Sequence, residues 1–359
     1  MARVIPLHTD PPLRTARAAR LHYVRSTARG IKRLGSPGRF TYKLDGRRVT
    51  AKATLERIAE LVIPPAWTDV WICTDPHGHL QATGRDARGR KQYRYHPRWS
   101  EVRNATKYAH TLAFGMQLPT MRKRLAKDLA RKGLPLEKVL ATVVSVMERT
   151  HIRVGHDAYA RANGSHGLST LKDRHVKTER GGLRFVFKGK TGVMHDIRLG
   201  SKRLARLVMR CKELPGQDLF QYLDASGTAR PITSEMVNAY IRSITGGEFT
   251  SKDIRTWKGT VHCAAALLGQ ALDGTDAARA QAINAALDTV AAALGNTRTV
   301  ARKYYVHPAV IAAYEAGRLD EMASGARSTV YLSREERLVL AVLKNHGKGQ
   351  RQAMLRHSA

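Results

Sequence analysis

Two adjacent tyrosines, Tyr304 and Tyr305, close a run that reads Asn296-Thr297-Arg298-Thr299-Val300-Ala301-Arg302-Lys303, and Lys252-Asp253-Ile254-Arg255-Thr256-Trp257 lies upstream of it. A phenol is almost wholly protonated at neutral pH, so it attacks a phosphodiester only where something favours the phenolate. Nearby cations do that. The same cations neutralise charge on a pentacoordinate phosphate, and the planar fork of arginine suits that task. Tyrosine among arginines and lysines therefore points to phosphotyrosyl chemistry on nucleic acid. Residue types alone do not choose between the two tyrosines as nucleophile.

The composition agrees. The 359 residues hold 62 Lys plus Arg against 29 Asp plus Glu, a formal net charge of +33, which makes a polyanion the natural partner. No apolar run reaches the length of a bilayer span, and the N-terminus carries charges and prolines instead of a signal-like apolar block. A cytoplasmic, nucleoid-associated protein without membrane contact is expected. Cys73, Cys211 and Cys263 are odd in number and widely spaced, which fits reduced thiols and no metal site. The sequence contains neither a GxxxxGK[ST] loop nor HExxH, so nucleotide hydrolysis and zinc catalysis have no foothold. His151, His156, His166, His175 and His195 do not converge by spacing on a metal set.

The elements that must carry these residues fall into an α+β chain. Residues 1–35 read as a basic, loosely packed arm. Residues 36–99 read as a small antiparallel sheet domain with short helices: β-rich runs at 39–44, 46–50, 70–74 and 79–83, an Asp45-Gly46 hairpin signal, and a helix from Leu55 to Leu61. A hinge is expected at 100–108. A larger, mainly helical domain follows over 109–325, with a helix starting near Pro119 and a β-hairpin over 181–199 that turns at Lys188-Gly189-Lys190-Thr191-Gly192. Residues 215–231 read as a loop-rich connection. A basic tail spans 326–359, helical from Ser333 and holding Lys344, Lys348, Arg351 and Arg356. The helix with Arg122, Lys123, Arg124, Lys127, Arg131 and Lys132 reads as a solvated basic face.

Five ordered segments resemble one family: Gln81 to His96, His151-Ile152-Arg153-Val154-Gly155 with Gly167 to Lys172, Phe187-Lys188-Gly189-Lys190, Lys252 to Trp257, and Asn296 to Tyr305. On these motifs the chain resembles the type IB DNA topoisomerases of the small, poxvirus-like group found in bacteria. The resemblance implies a bilobed clamp on duplex DNA, working as a monomer with no cofactor. It implies transient single-strand cleavage through a 3′-phosphotyrosyl ester, strand rotation and religation, without ATP or metal. Arg153 and Arg255 would clamp the scissile phosphate, Lys190 would be the general acid, and Lys188 is its neighbouring competitor. Counting from Asn296, as the family's spacing requires, selects Tyr305 as nucleophile and leaves Tyr304 for packing. Asn296 stands where many relatives have histidine; an amide can donate a hydrogen bond to a phosphate oxygen but cannot shuttle protons. Gln81, Arg85, Arg88, Arg90, Lys91, Tyr93 and Tyr95 form a stretch expected to be exposed and to meet DNA, with Lys172 and Lys252 as further contacts.

The tyrosine recombinases use similar chemistry, but they usually place histidine three before the second arginine, where this chain has Lys252, and they lack an N-terminal sheet. A non-catalytic basic DNA-binding protein is the third reading.

Overall fold

The computed structural model describes residues 12–270 and 275–356. The chain divides after Tyr108 into two compact units.

In the first unit, helix α1 (Pro12–Ala18) precedes strands β1 (Gly30–Leu34), β2 (Thr41–Leu44) and β3 (Arg47–Arg48), helix α2 (Lys52–Glu60), and strands β4 (Thr68–Cys73), β5 (Leu80–Arg85) and β6 (Lys91–Tyr95). The six strands form one antiparallel sheet in the order β3-β2-β1-β4-β5-β6. Its core is Ile31, Ile58, Val70, Ile72 and Ala82. The expected loose arm is corrected here: β1 is an internal strand paired on both sides, and Ala16, Ala19 and Leu21 pack with Trp99. Arginine density had hidden it, because Arg33 spends its guanidinium on the carbonyls of Pro64 at 3.1 Å and Trp67 at 2.6 Å. Residues 1–11 of that arm lie outside the described residues, as do residues 357–359 and the side chains of Lys348, Arg351 and Arg356 in the tail.

Helix α3 (Pro97–Leu129) contains the expected hinge residues 100–108, and Pro119 lies inside it where a helix start was expected. Proline lacks only one donor, and a long helix tolerates that loss at the cost of a local distortion.

The second unit continues with α4 (Leu136–Thr150), α5 (Asp157–Asn163), strands β7 (Val176–Glu179), β8 (Gly182–Lys188) and β9 (Met194–Leu199), α6 (Lys202–Lys212), a short pair β10 (Gln221–Leu223) and β11 (Ala229–Pro231), then α7 (Ser234–Thr245), α8 (Ser251–Leu267), α9 (Asp276–Leu294), α10 (Arg298–Tyr304), α11 (Pro308–Glu315), α12 (Leu319–Ser324) and α13 (Arg334–Arg356). The 181–199 hairpin is two strands of a three-stranded sheet, β7-β8-β9. One large apolar core joins α4, α7, α8, α9, α11 and α13, with Trp257 of α8 fully buried. Cys211 and Cys263 sit in it as free thiols, pushed up to about 12 by burial.

Arg122 departs from the solvated face expected of its helix. It donates to Glu148 at 2.8 Å and Glu336 at 2.7 Å, while Lys258 reaches Glu336 at 3.0 Å and the Trp257 indole N–H reaches it at 3.3 Å. Glu336 is 2% exposed. Burial pushes its carboxyl up, but Arg122 and Lys258 outweigh that and hold it at about 2. Glu336→Ala leaves Lys258 without its carboxylate beside the core, and removing one partner of a buried pair costs about 3–5 kcal/mol. Urea unfolding of the variant is expected to show that loss, and an unchanged midpoint would contradict it.

Among the described residues, no helix is long and apolar enough to cross a membrane, and no three His, Cys, Asp or Glu residues gather as a metal site.

Candidate active site

Three chain segments meet in the second unit. The first follows α4, which ends at His151 in the left-handed conformation (φ 55°), its N–H bonded to the Met147 carbonyl at 2.9 Å. That cap ends the helix two residues before Arg153. Leu168 N–H donates to the Arg153 carbonyl at 2.9 Å and Ser169 N–H to that of Val154 at 2.6 Å, which fixes the arginine's backbone. Gly167 permits the approach: a Cβ there would stand 2.6 Å from the Arg153 carbonyl oxygen.

The second segment is α8, started by a reciprocal cap between Thr250 and Asp253. Two residues on, Arg255 is 4% exposed and donates to the carbonyls of His151 and Leu294, the latter at 2.7 Å. One arginine thus ties the end of α4 to the end of α9. The third segment begins where Gly295 (φ 58°) ends α9 in the left-handed region that glycine favours. Thr297 caps α10, and Tyr305 follows α10 at once, its N–H bonded to the Ala301 carbonyl at 2.9 Å.

Arg153 Nη2 donates to Asn296 Oδ1 at 2.6 Å. A guanidinium only donates, so this bond fixes which end of the amide is the oxygen and leaves Nδ2 as a donor. That Nδ2 is buried and has no hydrogen-bond partner among the described residues. The Tyr305 ring centre lies 5.3 Å from the Arg255 guanidinium carbon. Burial pushes the Tyr305 phenol up, but Arg255, Arg153 and Lys190 more than offset it and hold the phenol below its ordinary value. Burial and Arg153 in turn pull Arg255 down to about 10, so it stays charged at neutral pH. Of the two tyrosines, Tyr305 is half-buried among the cations. Tyr304, expected to pack, is 46% exposed.

Lys190 is exposed at the tip of the β8–β9 hairpin and shares a cleft of about 520 Å³ with Arg153, His195, Met194 and Gly295. Lys188, its competitor, is exposed at the end of β8 and does not line that cleft.

Two further residues, Gly259 and Thr260 of α8, position the Tyr305 segment. A Cβ at Gly259 would lie 2.7 Å from the Tyr305 carbonyl oxygen, so only glycine lets that segment rest on α8. Thr260 Oγ1, fully buried, donates to the Thr256 carbonyl at 2.9 Å and accepts the His307 N–H at 3.1 Å, holding the chain just beyond Tyr305. A glycine and a threonine inside a helix carry no signal of this by type. The structure also brings together His151 and His262, whose Nε2 atoms are 3.4 Å apart, although spacing gave no hint of it.

The expected DNA-contact residues separate into groups. In the first unit, β6 alternates so that Lys91, Tyr93 and Tyr95 share one exposed face, with the two rings stacked at 6.0 Å. Arg85 and Arg88 are exposed, and Arg90 is paired with Asp86 at 2.8 Å. Gln81 is corrected. It is 2% exposed, its amide N–H donates to the carbonyls of the 75–78 turn, and its oxygen accepts from Arg57 at 2.7 Å. In the second unit Lys172 is held by Asp218 at 2.7 Å, and Lys252 is exposed in the first turn of α8.

A family model described as the catalytic core of eukaryotic DNA topoisomerase I matches residues 96–327, a span that holds Arg153, Lys190, Arg255, Asn296 and Tyr305. The chain belongs to the type IB DNA topoisomerases. A second model, the N-terminal domain of bacterial DNA topoisomerase IB, matches residues 39–86 in the sheet unit. The DNA topoisomerase 1B of Acanthamoeba polyphaga mimivirus is 32% identical over 285 residues, covering 77% of this chain and 85% of that protein. The DNA topoisomerase 1 of Rabbit fibroma virus (strain Kasza) is 28% identical over 204 residues, 51% of this chain and 63% of the viral one. Both relatives fall on the topoisomerase side of the choice with recombinases. A type IB topoisomerase is a DNA-acting isomerase, and the excess of positive charge suits that substrate.

Proposed function

We propose that this topoisomerase relaxes supercoiled duplex DNA through a covalent bond between Tyr305 and the 3′ side of a nick. The observation that supports this reading is the convergence of Tyr305, Arg255, Arg153 and Asn296 from three separate segments, with the phenol held below its ordinary value. Tyr305 Oη attacks phosphorus and its proton passes to solvent. The P–O5′ bond breaks as the P–Oη bond forms. Lys190 delivers a proton to the departing 5′ oxygen, which would otherwise leave as a poor alkoxide. Arg153 and Arg255 neutralise the charge gathering on the nonbridging oxygens, and the Asn296 Nδ2 donor meets one of them. The free 5′ end rotates, and the 5′-hydroxyl then attacks the ester and restores the linkage. The phosphotyrosyl ester conserves the bond energy, so religation consumes no nucleotide.

Under the same reading the exposed Lys91, Tyr93 and Tyr95 face of the sheet unit and the Lys252 end of α8 grip the duplex, and the two units act as a monomeric clamp. The decisive experiment incubates the full chain with supercoiled plasmid in EDTA without ATP, then traps the adduct on a suicide duplex and maps it by mass spectrometry. Relaxation and a nucleotide on Tyr305 are expected; strand exchange between paired sites, or a modified Tyr304, would refute the reading. Lys190→Ala is expected to slow cleavage by about 10²–10⁴, the usual worth of a general acid. A duplex with sulfur at the 5′-bridging position should restore the rate, because a thiolate leaves without protonation. An equal defect on both substrates removes Lys190 from the acid role.

A further inference from the structure

Lys190 makes no hydrogen bond through its ammonium group among the described residues, so its placement depends on the hairpin backbone beneath it. That backbone is closed by Gly189 N–H to the Val193 carbonyl at 2.8 Å and by the left-handed pair Thr191 and Gly192. What the hairpin tip rests on is a ring. His195 of β9 is half-buried, stands opposite Phe187 of β8 and stacks on it at 5.2 Å. A Cβ at Gly189 would lie 2.3 Å from His195 Cδ2 and 2.5 Å from its Nε2. A Cβ at Gly295 would lie 2.6 Å from His195 Cε1. The Cδ2 side and the Cε1 side of one imidazole therefore each face a glycine. One glycine immediately precedes Lys190 and the other immediately precedes Asn296.

We propose that His195 is a positioning residue whose ring, wedged between Gly189 and Gly295, sets the Lys190 hairpin against the turn that carries Asn296. Only glycines admit the ring on both sides, which accounts for the residue type at 189, where the backbone φ of −99° demands none. Neither ring nitrogen makes a hydrogen bond among the described residues, so the contact acts by shape. The cleft that His195 lines with Arg153 and Lys190 then has walls from the hairpin and from the α9–α10 turn, and the ring fixes their separation. This inference rests on Lys190 being the general acid.

The test measures single-turnover cleavage by His195→Ala, His195→Phe and Lys190→Ala on the ordinary duplex and on the 5′-bridging thiolate duplex. A displaced acid should cost about a hundredfold on the oxygen substrate, the scale of an ångström's misplacement, with DNA binding retained. The sulfur substrate should return His195→Ala to near the wild-type rate, which general damage to the fold would not allow. His195→Phe keeps a planar wedge and should recover most of the activity. Should His195→Ala fold poorly, Gly189→Ala pushes on the ring from the other side and should give the same sulfur-rescued defect. Lys190→Ala rescued by sulfur while His195→Ala and Gly189→Ala are equally slow on both substrates, or a wild-type rate for His195→Ala on oxygen, overturns the role of His195 alone. Failure of sulfur to rescue Lys190→Ala overturns the acid reading and this inference with it.

Discussion

Tyr305→Phe is expected to bind duplex DNA and to cut none of it. The substitution removes one oxygen and leaves the aromatic ring in its place beside Arg255. The surrounding backbone is held independently of the hydroxyl, by the Tyr305 N–H to Ala301 and by Thr260 under His307. Folding and DNA affinity should therefore be preserved, because the cations that attract phosphate all remain. Cleavage should fall by about 10⁴–10⁶, the range seen when a lone nucleophile is deleted from an otherwise intact site. The adjacent Tyr304→Phe is the internal comparison: that ring is exposed, and its hydroxyl can be removed without touching the cation cluster. A gel assay for the detergent-stable covalent adduct, run beside a binding titration, separates the two steps. A Tyr305→Phe chain that still relaxes plasmid would end the phosphotyrosyl reading.

That Arg153, Arg255, Asn296 and Tyr305 would come together was legible because they are polar residues in ordered motifs. The β8–β9 hairpin was legible by alternation and turn chemistry, since its strands alternate between more and less exposed positions, whereas β2, β4 and β5 were legible from β-rich composition between turn residues. What escaped was whatever depends on partners distant in sequence. Arg122 looks like any lysine or arginine on a basic helix until Glu148 and Glu336 arrive from α4 and α13. Gln81 reads as an exposed donor because nothing local shows that the 75–78 turn will wrap around its amide. β1, with two apolar residues among its five, gives no periodic signal, yet its central place between β2 and β4 supplies the pairing that composition conceals. Gly259 and the Gly189–His195–Gly295 stack act through atoms they lack, which no reading of residue types detects.

Arg255→Ala should produce two losses of different origin. Arg255 is 4% exposed and bonds the carbonyls of His151 and Leu294, so truncation strands one buried and one partly buried acceptor at the ends of α9 and α4. Each such acceptor costs about 1–3 kcal/mol, and thermal melting should register it. Under the proposed mechanism the catalytic loss has another cause: one of the two guanidiniums assigned to the scissile phosphate is gone, and deleting a single preorganised donor to a developing oxyanion costs about 10²–10³ in rate. The phenol is affected as well, because Arg255 is the leading cation that lowers it, so Tyr305 in the variant should titrate higher. Arg255→Lys distinguishes these terms. A lysine restores one positive charge but presents a point donor where the arginine spans two carbonyls, so it should recover part of the phenol's acidity and little of the stability. Cleavage rates compared at a temperature where each variant is fully folded isolate the chemical term. If Arg255→Ala then cuts at the wild-type rate, the buried guanidinium is a structural tie between helices and nothing more, and transition-state charge must be carried by Arg153 alone.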